Sequence, residues 1–374
     1  STSRRQRQMC IRDRNGGNMP ITYKCPNCGA AMEFDSTAQK LKCPSCQMEM
    51  DVQDYEKQYG HLYSDAEAGE NAQSAQSEGQ KGKGSMNMKV YHCQSCGAEL
   101  LADEYTSATI CSFCGNPSLV EDRLSGEFSP SSVIPFQIDR EAAKKMYKSW
   151  VKKGLLTPKT LSTESTIEKI SGVYVPFWLY DFDAETEMTA KAEKIRTERH
   201  GDTEYTYTDH FHVYRDVEAQ FEKVPADASE KMDDDTMDKL EPFDYTALKP
   251  FAMPYLSGYL SERYNFTDEQ MQSRVRKRVD RYITEIARST MLGYSTVSVL
   301  DNHISMNNKH NEYALLPVWM LNCRYHGNDF NFVLNGQTGK IVADRPISKG
   351  KAAAYFVGIF VIMMIVLTLG GLAL

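Results

Sequence analysis

The chain has 374 residues, of which 41% are hydrophobic and 25% charged, and a formal net charge of −7. That length suits two or more domains with a sizeable core. The composition excludes a collagen-like chain, a wholly disordered one and a polytopic membrane protein, and the acidic balance argues against a general nucleic-acid coat.

The run Met9-Cys10-Ile11-Arg12-Asp13-Arg14 reads as the translation of a sequencing-library adaptor, so residues 1–18 are expected to be a non-native leader before a start at Met19. They hold five arginines and one aspartate, and without them the net charge becomes −11. No apolar stretch near the N-terminus predicts a secretory signal.

Next come two cysteine modules, expected to span residues 19–60 and 89–120. Their frames are identical: Cys25-x2-Cys28-x14-Cys43-x2-Cys46 and Cys93-x2-Cys96-x14-Cys111-x2-Cys114, each cysteine of the second lying 68 residues after its counterpart. A Cys-x2-Cys turn puts two thiolates on one side of a cation, and two such turns complete a tetrahedron. Gly29, Gly97 and Gly115 follow three of the turns, and Gln47 departs from that pattern. A disulfide framework would need an oxidising compartment. The spacing therefore predicts two closed, structural zinc sites on these eight cysteines, with a rubredoxin-like iron site as the alternative. Four thiolates leave no open position for hydrolytic chemistry. Each module alone is too small to bury a core, so its fold should depend on its metal.

The ribbons are poorly suited to phosphate. Residues 22–50 carry Lys24, Lys40 and Lys42 against Glu33, Asp35 and Glu49, and residues 90–117 carry Glu99, Asp103 and Glu104 with no Lys or Arg. Each tetrathiolate zinc centre would add two further negative charges. Protein contact or a purely structural role is expected ahead of nucleic-acid contact. Residues 61–88, rich in Gly, Ser, Gln, Ala and Glu, read as a flexible linker between the modules.

Residues 130–348 carry both periodicities and form the expected α+β domain. Arg140–Lys153 reads as a helix with Ala142, Met146, Trp150 and Val151 as its apolar stripe. Residues 186–217 read as a hairpin around His200-Gly201-Asp202, and 229–240 as a short acidic helix. Thr267-Asp268-Glu269-Gln270 has the capping-box pattern and opens a long helix with Met271, Val275, Val279, Tyr282 and Ile286 at helical spacing. Residues 294–342 return to strands, with Asn335-Gly336 and Thr338-Gly339 as turn residues. Pro176-Phe177-Trp178-Leu179 is echoed by Pro317-Val318-Trp319-Met320, which suggests an internal duplication or two similar apolar strands.

Residues 352–374 are 23 uncharged residues. As a helix they would reach about 34 Å, enough to cross a bilayer. Arg345, Lys349 and Lys351 precede them, so the bulk of the chain is expected on the cytoplasmic side of the cell membrane, anchored by a single pass.

The double ribbon, the run Ser171-Gly172-Val173-Tyr174-Val175-Pro176-Phe177-Trp178, and Leu316-Pro317-Val318-Trp319 with Asn335-Gly336-Gln337-Thr338-Gly339-Lys340 resemble a family of bacterial proteins common in Firmicutes. These are zinc-ribbon membrane proteins of the transcription-factor-IIB type, of unknown function, some of them termed primosomal replication-restart helicases. The resemblance covers nearly the whole chain from Met19. It implies two ribbons, an α+β domain and a terminal membrane helix, with the eight cysteines as ligands and no activity to carry over. A helicase requires a G-x-x-x-x-G-K-[ST] loop. Neither Gly82-Lys83-Gly84-Ser85 nor Gly336-Gln337-Thr338-Gly339-Lys340-Ile341 has that spacing with the hydroxyl after lysine, so helicase activity is not expected.

Other features have plainer readings. Arg274, Arg276, Lys277, Arg278 and Arg281 make the long helix basic; a solvated face is expected ahead of contact with anionic lipid or nucleic acid. His210 and His212 share a strand face without a third ligand. Cys323 near His326 reads as a partly buried thiol rather than a nucleophile–base pair. Asp233-Asp234-Asp235 lacks calcium-loop spacing and reads as a solvated helix start. The expected function is therefore a non-enzymatic module that binds an unknown protein partner and touches membrane lipid through its terminal helix. The alternative is nucleic-acid binding in replication or transcription, through the ribbons and the basic helix.

Overall fold

The computed structural model describes residues 22–60, 88–92, 99–103, 106–110, 117–119 and 129–372. The leader at 1–18, nearly all of the linker at 61–88, and Cys93, Cys96, Cys111 and Cys114 lie outside these residues.

The first module is a three-stranded antiparallel sheet, β1 (Glu33–Asp35), β2 (Lys40–Lys42) and β3 (Glu49–Met50), closed by helix α1 (Val52–Tyr59). Asp51 caps α1, its carboxylate accepting from the Gln53 amide at 2.9 Å. In the second module β4 (Met88–His92) pairs antiparallel with β5 (Glu99–Asp103), and β6 (Thr106–Ile110) with β7 (Pro117–Leu119).

The large sheet also takes in β8 (Ser132–Val133), the long hairpin β9 (Ser171–His200) and β10 (Thr203–Asp227), β11 (Lys249–Pro250), β12 (Leu260–Glu262), β13 (Thr296–Tyr325), β14 (Asn328–Asn335) and β15 (Ile341–Ala343). Its main path is β11-β8-β13-β9-β12-β6-β7, with β10 beside β9, and β14 and β15 beside β13. Helices α2 (Arg140–Lys153), α3 (Asp234–Leu240) and α4 (Asp268–Ser289) pack around the sheet, and α5 (Lys349–Leu372) follows it. The hairpin expected over 186–217 is longer at both ends: β9 is continuously buried from Gly172 to Phe177 and buries alternate residues only from Phe182 to Ala192.

The two tryptophan runs lie on the central antiparallel pair, where Val175 sits opposite Leu316. Their surroundings repeat. Leu260 of β12 runs parallel beside Val173, and Ser132 of β8 runs parallel beside Ala314. Each short strand leads to a helix, one opened by Thr267 and the other by Asp139. The Trp178 indole donates to the Phe266 carbonyl at 3.0 Å, and the Trp319 indole to the Ile138 carbonyl at 2.9 Å. In each case the acceptor immediately precedes the helix cap. The Ala228 amide bonds the Pro176 carbonyl, and the Gly336 amide the Pro317 carbonyl, both at 2.9 Å. The Ala228 carbonyl in turn accepts from Asn265 and Phe266, and the Gly336 carbonyl from Gln137 and Ile138. Coincidental similarity between apolar strands would not reproduce this bonding pattern. The domain is an internal pseudo-twofold repeat about the β9–β13 pair.

Two expectations need correction. The buried face of α2 is centred on Ala143, Tyr147 and Val151, with Met146 and Trp150 only partly buried at its flank. On α4 the buried row runs Met271, Val275, Val279, Ile283, Ala287, while Ile286 is exposed. A strict four-residue step drifts around a helix of 3.6 residues per turn, and so follows a twisted sheet. The first module, expected to be too small to bury a core alone, shares one with the large domain. Its Tyr23, Met32, Phe34, Leu41 and Tyr55 belong to one apolar cluster with Phe136, Tyr174, Tyr255, Tyr259 and Trp319 of the large domain. The Phe34 amide donates to the Ser257 carbonyl at 3.0 Å, and the Ser257 hydroxyl returns a bond to the Met32 carbonyl at 2.6 Å. Gln39 reaches the Phe136 carbonyl at 2.7 Å. The second module is joined as well, through β6 against β12 at Ala108 and Ser261.

Candidate metal centre

Two similar turns build the site. The Gly29 amide bonds the Cys25 carbonyl at 2.8 Å, and the Gln47 amide the Cys43 carbonyl at 3.0 Å. The Cys25 amide bonds the Ala30 carbonyl at 2.7 Å, and the Cys43 amide the Met48 carbonyl at 2.8 Å. Gly29 and Gln47 occupy the same left-handed conformation, with φ of 75° and 61°. Gln47 is thus a conformational equivalent of the glycine, held where an L residue carries strain.

The turns face each other. Cys25 Sγ lies 3.5 Å from Cys46 Sγ, and Cys28 Sγ 3.5 Å from Cys43 Sγ. All four sulfurs fall within 4.8 Å of one another. A tetrahedral zinc with bonds near 2.3 Å requires sulfurs about 3.8 Å apart, so the tetrad fits such a cation. Cys25 and Cys43 are buried, Cys46 is half-buried and Cys28 is exposed.

Among themselves the thiols are in conflict. The Met48 amide, aided by neighbouring thiols, pulls Cys46 down to about 6. At Cys28 the lowering effect of the Ala30 amide is overcome by neighbouring thiols and desolvation, which hold it up at about 12. A divalent cation would resolve the conflict by favouring all four thiolates. Ala30 and Met48 were not marked by cysteine spacing, yet each lies two positions after the second cysteine of its turn, where an amide can face sulfur. Met48 also places its Sδ 3.7 Å from Cys25 Sγ.

The other candidate groups take structural places. Arg274 contacts Asp227, Asp234 and Asp238 at 2.7–2.9 Å. Arg278 is buried against Glu241 at 2.7 Å, Asp238 at 3.1 Å and the Pro225 carbonyl at 2.6 Å. These two cations are internal bonds, which corrects the expectation of a solvated face; Arg276, Lys277 and Arg281 are exposed. Asp233 caps α3 through Thr236, and Asp234 meets Arg274, so this start is paired as well as solvated. His210 pairs with Glu193 at 3.2 Å. Cys323 faces the Tyr147 hydroxyl at 4.0 Å, and burial raises its pKa. Residues 336–340 link two antiparallel strands, β14 and β15, with Asn335 Oδ1 accepting from the Gln337 and Thr338 amides at 2.9 Å. A phosphate-cradling loop joins a strand to a helix instead.

Among the described residues, these features define an α+β protein with a four-cysteine cluster able to hold a metal ion and one long apolar helix. The chain is 41% identical over 342 residues to the uncharacterized protein YdjG of Bacillus subtilis (strain 168), a match spanning 91% of this chain and 94% of that protein. It belongs to the same family as YdjG. No family model matches the chain, and no solved structure matches it.

Proposed function

We propose that this is a membrane-anchored, cytoplasm-facing protein with two zinc ribbons of the transcription-factor-IIB type, acting as a non-enzymatic adaptor that binds another protein. Carrying this reading is the four-thiol cluster, which would close around a cation and leave no position for substrate. It is fastened to a domain followed by an uncovered apolar helix. The second cysteine frame, identical in spacing, would hold a second zinc through Cys93, Cys96, Cys111 and Cys114. Arg345 before the helix, with Lys349 and Lys351 in its first turn, supports a cytoplasmic domain.

Crosslinking in intact cells, then purification from solubilised membranes, should give a discrete protein adduct that disappears in Cys93→Ser/Cys96→Ser. An adduct unchanged by that variant would contradict the adaptor role. So would tight DNA binding by the full chain that weakens steeply with salt.

A further inference from the structure

The base of α5 is fastened to one corner of the domain. The Ser348 amide donates to the Leu156 carbonyl at 2.9 Å, and Lys351 Nζ to the Thr157 carbonyl at 2.7 Å. The Arg345 guanidinium lies over the Trp150 ring, 4.8 Å from its centre. The loop leaving α2 and the segment leading into α5 therefore form one continuous surface where the apolar helix departs.

That surface has a distinctive composition. Residues 152–157 and 345–351 contain Lys152, Lys153, Arg345, Lys349 and Lys351, and no acidic residue. Lys152, Lys153, Arg345 and Lys349 are exposed. Between them stand two large aliphatic side chains in the open, Leu155 at 69% and Ile347 at 61%. The nearest acidic neighbour in sequence, Asp344, is exposed at the edge of this surface, where it also lines the small cavity beside Trp150. Cations with long apolar stems, interleaved with exposed aliphatics, suit the boundary between lipid headgroups and acyl chains. Phosphate would meet the ammonium groups while Leu155 and Ile347 entered the apolar layer.

We propose that this corner, centred on Lys152, Lys153, Leu155, Ile347 and Lys349, rests on the headgroup layer of a bilayer containing anionic phospholipid. The domain would then lean on the membrane in a fixed orientation rather than swing from its helix. This inference rests on reading α5 as a membrane span. It places the lipid contact away from α4, whose Arg274 and Arg278 are already committed to carboxylates.

The test is hydrogen exchange on the full chain in nanodiscs of phosphatidylcholine alone and with phosphatidylglycerol added. Amides in 152–157 and 345–350 should exchange severalfold more slowly in the anionic discs. Lys152→Glu/Lys153→Glu/Lys349→Glu should remove the difference, while Arg276→Glu/Lys277→Glu on α4 should leave it intact. A chain that does not co-elute with the discs overturns the span and this contact together. Co-elution with equal exchange in the two lipids overturns the contact alone, as does loss of the difference in the α4 variant.

Discussion

Gly29 and Gln47 do the same backbone work with different means. Glycine enters the left-handed region freely, whereas glutamine is strained there by about 1 kcal/mol or more. Gln47→Gly should therefore be neutral or stabilise the metal-loaded chain by up to about 1 kcal/mol, and Gly29→Ala should destabilise it by a similar amount, read by urea unfolding in detergent. Asp227 shows a different residue-scale tension. Burial pushes its carboxyl up to about 6 despite the Arg274 guanidinium at 2.9 Å. An acid whose folded pKa lies above its unfolded value favours folding only while protonated. Its contribution is present below about pH 4, declines as pH rises to about 6, and is then lost, a change of up to roughly 3 kcal/mol. Asp227→Asn should flatten stability between those pH values relative to the parent chain. The pseudo-twofold equivalent of Asp227 is Asn335, also buried and bonded to backbone carbonyls of Leu240 and Pro242, so the fold already accommodates an amide at that place.

Among the elements, the paired tryptophans fix each helix to the strand of its pseudo-twofold mate. Trp178→Phe and Trp319→Phe should each cost about 1–3 kcal/mol, because each leaves a carbonyl without its indole partner. The two losses should match in size; a large inequality would mean that the repeat is not energetically equivalent. Gly172 sits where an added methyl would lie 2.7 Å from the Tyr259 ring and 3.1 Å from that of Trp319, so Gly172→Ala should cost about 1–3 kcal/mol by overpacking. Much at this scale could be read from sequence. α2 spans Arg140–Lys153 as expected, and the Gln270 side chain accepts from the Thr267 amide at 2.8 Å as the capping pattern implied. The echoed tryptophan runs pointed to the repeat. The partners of those indoles could not be read, because each is a backbone carbonyl from a distant segment and carries no side-chain signature. The drift of the α4 row toward Ile283 and Ala287 depends on sheet twist, which one helix's own periodicity does not contain.

Across the described residues, the first cysteine module and the large domain share aromatic packing, and an apolar helix of 24 residues extends from the opposite segment of the chain. Cysteine spacing marked Cys25, Cys28, Cys43 and Cys46 as one cluster. It was silent on where that cluster would dock, since the docking bonds at Phe34, Met32 and Ser257 are made largely by backbone. That sharing has a consequence for metal removal. Chelation should loosen β1 from Ser257, raising proteolytic sensitivity around Phe34 and changing the tyrosine and tryptophan signals of the large domain; an undisturbed domain would mean that the first module's core is self-sufficient. The most direct measurement is metal content per chain, by elemental analysis of protein purified from membranes. The account predicts two zinc ions, falling to one in Cys25→Ser/Cys43→Ser, whereas a chain carrying no bound metal would contradict it.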